Sequence, residues 1–386
     1  MGKTDVDTVL TRGVGEILPD NKGLALLMKK GKIRLYLGID ATAPKLHLGH
    51  TVGLRKLQQF ANLGHEAILL FGTGTVLAGD PSQRKLARKK IDPEQISNNI
   101  STWKEQVEPI IDFTKIKIMF NGDWLLKLSL GEILDIASNI SAVQLFKREM
   151  FQNRINRKDT IWTHEVLYPL LQGYDSVALD VDLEIGGTDQ TFNMLIGREL
   201  QRKMNQREKY VLTFPMIMGT DGEQMSKTSG NCVWLKDSPS DMYGKLMGTL
   251  DEQIIPYMEL ASNIPSARIK EINSLLAGKD YNPMDAKKEL AFAVVSEFHS
   301  KKKAISAQNG FEKTFQERKP EYKTFKTESN QLVGVIEKYS KSRSDAKRKI
   351  KQGGIDINGK TITDPTTKVS AGDKIKIGSR VFIKIK

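Results

Sequence analysis

Cysteine is nearly absent from this chain of 386 residues, where Cys232 stands alone. No internal disulfide can form, which excludes a disulfide-stapled scaffold and suits a reducing cytosol. Long apolar runs are missing too, so no membrane-spanning helix is expected. The first residues, Met1 to Asp7, carry no apolar secretory segment, and Val6 spoils a match to the myristoylation pattern. A cytoplasmic protein is expected. No internal repeat and no low-complexity tract interrupts the chain, which argues against a solenoid or a fibrous array. Acidic residues are the minority, 46 against 59 Lys and Arg, and the formal net charge of +13 points to a polyanionic partner. That excess is concentrated. Between Gln331 and Lys386, 14 Lys and Arg face 5 Asp and Glu, a net of +9.

The length has room for two or three domains and a substantial core. The stretch from Leu35 to His50 reads as a buried strand that ends on Gly38-Ile39-Asp40 and hands over, through His47-Leu48-Gly49-His50, to a helix. Val52, Leu57, Phe60 and Ala61 recur at helical spacing, and Gly64 is a plausible stop. Two histidines therefore sit at a helix N-terminus, where backbone N–H groups and the dipole favour phosphate. Histidines can hydrogen-bond phosphate oxygens whose charge grows in a transition state. The plainer reading, one histidine capping and the other packing, has about equal weight. A metal site is not expected, since no cysteine or carboxylate nearby completes a ligand set.

Strand and helix then alternate. Glu66 to Phe71 and Ile116 to Phe120 read as strands, and Asp92-Pro93-Glu94-Gln95 signals a helix start. The alternation predicts a doubly wound, Rossmann-like parallel α/β sheet, with ligands at the carboxyl ends of its strands, where the loops at Gly38, Gly72 and Asn121 open. Residues Leu125 to Asp159 look helical and carry more apolar side chains (Ile133, Ile136, Ile140, Val143, Leu145, Phe146, Met150, Phe151) than one surface helix needs, which suggests a subunit interface. Tyr168, Gln172 and Asp175 fall at i, i+4 and i+7 on one face of an otherwise apolar helix. A solvated face would explain them, but Leu167, Leu170, Leu171 and Val177 imply burial, where polar groups need partners, so a polar pocket is expected. Ile185-Gly186-Gly187-Thr188-Asp189-Gln190 is either a turn or a close backbone approach to a ligand. The segment from Asp237 to about Phe315 reads as helical. In the tail, the basic run Lys347-Arg348-Lys349-Ile350-Lys351 precedes an Asn358-Gly359 hairpin signal and alternating Lys/Ile strands, a pattern that offers a basic face to phosphates.

The tetrapeptide His47-Leu48-Gly49-His50 resembles the HIGH signature of class I aminoacyl-tRNA synthetases, and Gln224-Met225-Ser226-Lys227-Thr228 resembles their KMSKS loop. The stripe on 168–175 is similar to the tyrosine-binding helix of tyrosyl-tRNA synthetases, and the tail resembles the S-four RNA-binding domain that ends the bacterial type. The resemblance implies adenylation of L-tyrosine by ATP with Mg2+, followed by transfer to the 3′ end of tRNA(Tyr), in a homodimer. It places Tyr36 and Asp175 at the substrate's phenol hydroxyl, and Tyr168, Gln172 and Asp80 at its ammonium group. Gln190 falls near its carboxylate. A carboxylate that accepts from a phenol rejects phenylalanine, a selection of which tyrosine activation is itself the established example. It places Gly38, Asp40, Gly49, Gly187, Asp189, Met225, Ser226 and Lys227 at ATP, Asp189 at the ribose. His47, His50, Thr42, Lys227 and Thr228 then stabilise the transition state. Gln224 departs from the pattern by replacing the loop's first lysine, and Arg84 and Arg88 are positioned to supply charge instead. Lys347, Arg348 and Lys351 are expected to meet RNA.

The expected organisation is a catalytic domain over 1–232 with a helical insertion at 125–165, a helical domain over 233–318, a linker at 319–330 and a small α+β RNA-binding domain over 331–386. Two alternatives remain: a tryptophan-activating sister enzyme, against which Tyr36 with Asp175 argues, and a non-catalytic RNA-binding paralogue, toward which Gln224 alone points.

Overall fold

Parallel strands covered by helices on both faces require near-continuous apolar runs, and the chain supplies them. In the computed structural model, which describes residues 5–40, 43–79, 93–225, 230–317, 320, 322–327, 329–340, 342–378 and 381–386, one sheet holds six strands: β1 (Glu16–Leu18), β2 (Arg34–Ile39), β3 (Glu66–Phe71), β4 (Ile116–Phe120), β5 (Leu183–Gly187) and β6 (Tyr210–Phe214). Their order is β1-β6-β5-β2-β3-β4. Strands β2 to β6 are parallel, as expected, and β1 closes one edge antiparallel to β6. Leu35, Leu37, Ala67, Leu69, Phe71, Leu183, Ile185, Val211 and Leu212 are buried in its core. The chain goes from β2 outward to β3 and β4, then returns past β2 to β5 and β6. The strand order therefore reverses between β2 and β5, the place where doubly wound sheets open a ligand crevice.

The chain separates into two units, Met1–Lys236 with Thr249–Phe298, and Asp237–Gly248 with His299–Lys386. This differs from the expected helical domain over 233–318, whose helices are shared between the two. The helices Ile254–Ala261 and Pro283–Phe298 belong with the sheet because their partners are there. Arg55, on the helix Leu48–Asn62, grips both carboxylate oxygens of Glu297, and Tyr257 Oη donates to the Met218 carbonyl at 2.7 Å. The segment 125–159 is broken into short helices rather than one. Of its surplus apolar residues, Ile136, Ile140, Leu145 and Phe151 are core, while Val143 is exposed with Leu126, Leu130 and Leu134.

In the second unit a five-stranded sheet runs β7 (Lys323–Phe325), β11 (Val381–Ile385), β10 (Lys374–Ile377), β8 (Ile355–Ile357), β9 (Lys360–Ile362). Its core is Leu332, Val333, Val335, Ile336, Ala346, Ile350, Ile355, Ile375, Ile383 and Ile385. Asn358 and Gly359 both have positive φ (50° and 81°), the requirement of the tight hairpin turn expected there. The expected linker at 319–330 instead contains β7, which pairs parallel with β11 and lays Phe325 on this core. Three residues with a single apolar side chain, Phe325, gave no strand period to read.

Lys56 is a buried cation in the first unit. Its Nζ donates to the carbonyls of Val9 and Arg12, both at 2.7 Å. Burial, with the nearby charge of Arg12, pulls its pKa from 10.5 down to about 7. The folded chain thus holds this proton less tightly than the unfolded chain does. Between pH 7 and pH 10.5 folding releases a proton, so stability rises with pH across that window, by up to about 1.4 kcal/mol per unit. Melting curves of wild type and Lys56→Met from pH 6 to 10 check this. The difference between them is expected to grow toward high pH, and a constant difference would contradict the buried-cation account.

Candidate active site

The crevice is built from the carboxyl ends of β2, β3, β4 and β5. Beyond β2, His47 is the N-cap of the helix Leu48–Asn62 and His50 its third residue. The His47 backbone N–H donates to His50 Nδ1 at 3.2 Å; Nδ1 also lies 3.3 Å from the His47 carbonyl. The backbone N–H can only donate and makes the shorter contact, so Nδ1 accepts from it, and a neutral ring then carries its proton on Nε2. The two rings are 3.9 Å apart, with Trp234 edge-on to His47 at 5.8 Å. Trp234 arrives because the stretch after the second signature pairs with the stretch before the histidines: Leu48 N–H donates to the Val233 carbonyl and Leu235 N–H to that of Leu46. This ladder brings the two signature motifs together. The base of the second is closed by Asn231, whose Nδ2 donates to Asp221 (2.9 Å) and to the Gln224 carbonyl (3.1 Å). Met225 leans over Gly49, where an added Cβ would fall 3.4 Å from Sδ. Thr42, Asp80, Arg84, Arg88, Ser226, Lys227 and Thr228 lie outside the described residues.

Along the helix Thr163–Leu179, Tyr168 and Asp175 are buried and Gln172 is half-buried. Tyr168 Oη donates to Asp40 Oδ2 at 3.1 Å, while Thr75 Oγ1 donates to Asp40 Oδ1 at 2.9 Å. Gln172 Oε1 accepts from Asn193 Nδ2, which also reaches Gln190 Oε1, both at 2.9 Å, and Gln190 Nε2 donates to Asp189. Asp175 has one donor on each oxygen: Trp124 Nε1 at 2.9 Å and Asn121 Nδ2 at 3.0 Å. Burial pushes its carboxyl well above the usual carboxylate range, against those two donors, and the charges of Glu184 and Asp40 push the same way. Tyr36 is likewise buried, its Oη 3.0 Å from Ser176 Oγ. Burial and the charges of Glu184 and Asp175 raise its pKa, so its phenol stays protonated and able to donate.

The structure thus gathers Tyr36, Asp40, Tyr168, Gln172, Asp175, Asp189, Gln190, His47 and His50 at one edge of one sheet, with Gly38 and Gly187 at the strand ends. The supporting groups were not legible as such in the sequence: Thr75, Trp124, Ser176, Glu184, Asn193 and Lys209, with Asn121 expected only as the start of a loop. Their signal was position alone, since Asn121 and Trp124 directly follow β4 and Thr75 follows β3. Among the described residues no group of three or more His, Cys, Asp and Glu could hold a metal, and no helix is long and apolar enough to cross a membrane. In the second unit the helix Arg343–Lys351 carries Lys347, Arg348 and Lys351 on its exposed side, with Arg348 bonded to Asp345 at 2.6 Å.

Comparison with known proteins bears on the family. Residues 28–316 match the family of tRNA synthetases class I (W and Y), and residues 331–375 match the S4 domain. The tyrosine–tRNA ligase of Carboxydothermus hydrogenoformans is 39% identical over 396 residues, covering 98% of this chain and 96% of that one. That of Haemophilus influenzae is also 39% identical, covering 99% and 98%. A C-terminally truncated mitochondrial tyrosyl-tRNA synthetase of Aspergillus nidulans shares the fold with a TM-score of 0.67 at 21% identity, over 80% of this chain and 94% of that one. The tyrosyl-tRNA synthetase of Archaeoglobus fulgidus, solved with L-tyrosine, gives 0.63 at 21% identity, over 78% and 98%. At that identity the structures speak for the fold, and the sequence relatives, matched along nearly their whole length, speak for the family. By that measure the chain belongs to the tyrosine–tRNA ligase family of the class I tRNA synthetases.

Proposed function

We infer that this chain activates L-tyrosine with ATP and transfers it to the 3′ end of tRNA(Tyr). The observation that carries this reading is Asp175, a buried carboxylate held by Asn121 and Trp124, whose charge is felt at the buried Tyr36 hydroxyl: an acceptor and a donor suited to a phenol. An indole offers no hydroxyl to use both, which favours tyrosine over tryptophan. In the first step a carboxylate oxygen of tyrosine attacks the α-phosphorus of ATP, the bond to the bridging oxygen breaks and pyrophosphate leaves. Magnesium enters with ATP as part of that substrate. The chain's contribution is placement and charge: Tyr168, Gln172 and Asp80 hold the ammonium group, and Gln190 lies near the carboxylate. Asp40, Gly38, Gly49, Gly187, Asp189 and Met225 line the nucleotide side. His50 Nε2–H, His47, Thr42 and the signature loop with Ser226, Lys227 and Thr228 meet the growing phosphate charge. In the second step the terminal ribose hydroxyl of tRNA attacks the tyrosyl carbonyl and AMP leaves, with Lys347, Arg348 and Lys351 holding RNA phosphates. The exposed Leu126, Leu130, Leu134 and Val143 form the homodimer face, and the location is cytoplasmic.

Tyrosine-dependent exchange of pyrophosphate into ATP tests the reading; no exchange with tyrosine, or equal exchange with tryptophan, would overturn it. Within it, Lys227 acts as the loop's cation on the leaving pyrophosphate. Lys227→Ala is expected to slow adenylate formation by about 10²–10³, by analogy with a lost oxyanion donor, and to leave tyrosine binding unchanged. Gln224→Lys is expected to gain less, since Arg84 and Arg88 share the charge. Pre-steady-state adenylate formation checks both, and a Lys227→Ala enzyme as fast as wild type would remove the loop from catalysis.

A further inference from the structure

Behind the phenol site lies an ion pair that no step above uses. Lys209, just before β6, has a fully buried side chain (0% exposed) against the carboxylate of Glu184 on β5, itself 3% exposed. Taking both charges out of water costs several kcal/mol per ion, and a pair of apolar side chains would fill such a place as well. Two further contacts give the pair a direction. Lys209 Nζ lies 2.8 Å from Ser176 Oγ, and Ser176 Oγ lies 3.0 Å from Tyr36 Oη. The approach is possible because residue 197 is glycine: a Cβ there would fall 2.7 Å from Nζ and 2.8 Å from Oγ.

An ammonium group can only donate, so Ser176 Oγ accepts from Lys209. The one proton of Ser176 then has two destinations, Tyr36 Oη at 3.0 Å or Glu184 Oε2 at 3.4 Å. Glu184 Oε2 already takes the Lys209 proton, and the other contact is shorter. With Ser176 donating along this shorter contact, Tyr36 keeps its own proton off that bond. We propose that Lys209, held by Glu184 and acting through Ser176, turns the Tyr36 hydroxyl so that its proton faces the substrate's phenol oxygen. Lys209 and Ser176 are thereby positioning residues for tyrosine selection. Every donor in the series Lys209, Ser176, Tyr36 points one way, toward the substrate, and hydrogen bonds aligned in series reinforce one another. The proposal rests on the assignment of Tyr36 and Asp175 to the phenol.

The test compares Ser176→Ala, the neutral pair Lys209→Met with Glu184→Gln, and their combination, using pyrophosphate exchange and melting curves. Ser176→Ala is expected to raise KM for tyrosine about 2- to 12-fold, the range of one hydrogen bond, with KM for ATP unchanged and preference over phenylalanine lowered by a similar factor. The neutral pair should do the same, and the combination no more than either, because all interrupt one series. Effects that multiply, an unchanged tyrosine KM, or equal losses for tyrosine and ATP with a lowered melting temperature would overturn it, the last meaning a merely structural role. Should the neutral pair fail to fold, Ser176→Ala decides alone, measured in wild type and in Tyr36→Phe, where it is expected to be silent. Tyr36→Phe also separates the two readings. If it leaves tyrosine use intact, the phenol assignment fails; if it impairs tyrosine use while Ser176→Ala does not, only the relay fails.

Discussion

Replacing Asp175 with alanine is expected to lower kcat/KM for tyrosine in pyrophosphate exchange by about 10²–10⁴, which corresponds to about 3–5 kcal/mol. Two losses add. The substrate's phenol loses a charged acceptor, worth about 1.5–3 kcal/mol, and the Asn121 and Trp124 N–H groups lose theirs in a dry site, at about 1–3 kcal/mol for each group left unpaired. Part of the second loss falls on folding, so the melting temperature should drop, while KM for ATP should stay near wild type. Asp175→Asn keeps the shape but turns an amide donor toward Asn121 or Trp124, and should recover little. Preference for tyrosine over phenylalanine should collapse in both. Because burial holds the Asp175 carboxyl well above its ordinary 3.8, its protonation also sets a limb on the acid side: kcat/KM for tyrosine should fall with pH while pH is still above the usual carboxylate range. Wild-type exchange kinetics in Asp175→Ala would sink the pocket assignment.

The second large effect concerns the C-terminal sheet. Removing it should leave adenylate formation nearly intact and cut tRNA charging by an order of magnitude or more, since the expected RNA-binding side chains are there and the tyrosine pocket is not. The fold says where to cut. A truncation after Asn330 would leave β7 without its partner β11 and expose Phe325, whereas one after Glu317 removes the sheet whole. The shorter chain should therefore be the better behaved. In the full chain, Lys347→Ala, Arg348→Ala and Lys351→Ala together should reduce the slope of log affinity for tRNA against log salt by about 2–3, at about 0.7–0.9 for each phosphate no longer neutralised. Arg348 is bonded to Asp345, so its single change should count least. Charging by the truncated chain as fast as by the full one would assign the tail another role.

Much of this was readable in the sequence because the informative patterns are local. Buried parallel strands announce themselves as apolar runs, the histidine helix by its period, the polar stripe by its i, i+4, i+7 spacing, and the Asn358-Gly359 turn by residues that tolerate positive φ. Each depends on neighbours a few positions away. Short or polar elements carry no such period. Strand β1 has three residues and β7 is exposed for two of its three, so neither could be read, and both exist because a longer strand offers them a free edge.

What tertiary structure alone decided is which groups face one another. Asp175 finds Asn121 and Trp124, more than 50 positions away, and Lys209 reaches Ser176 across 33. Such pairings follow from strand order and crossover geometry, which bring the ends of β2, β4 and β5 to one edge, and no spacing in the chain encodes them. The helices Ile254–Ala261 and Pro283–Phe298 join the sheet unit for the same reason: Glu297 and Tyr257 find their partners there at long range. The sequence by itself determined what kind of residue stands at each position along the sheet edge. That a buried ion pair stands behind the Tyr36 hydroxyl, reached through Ser176, was decided only by folding.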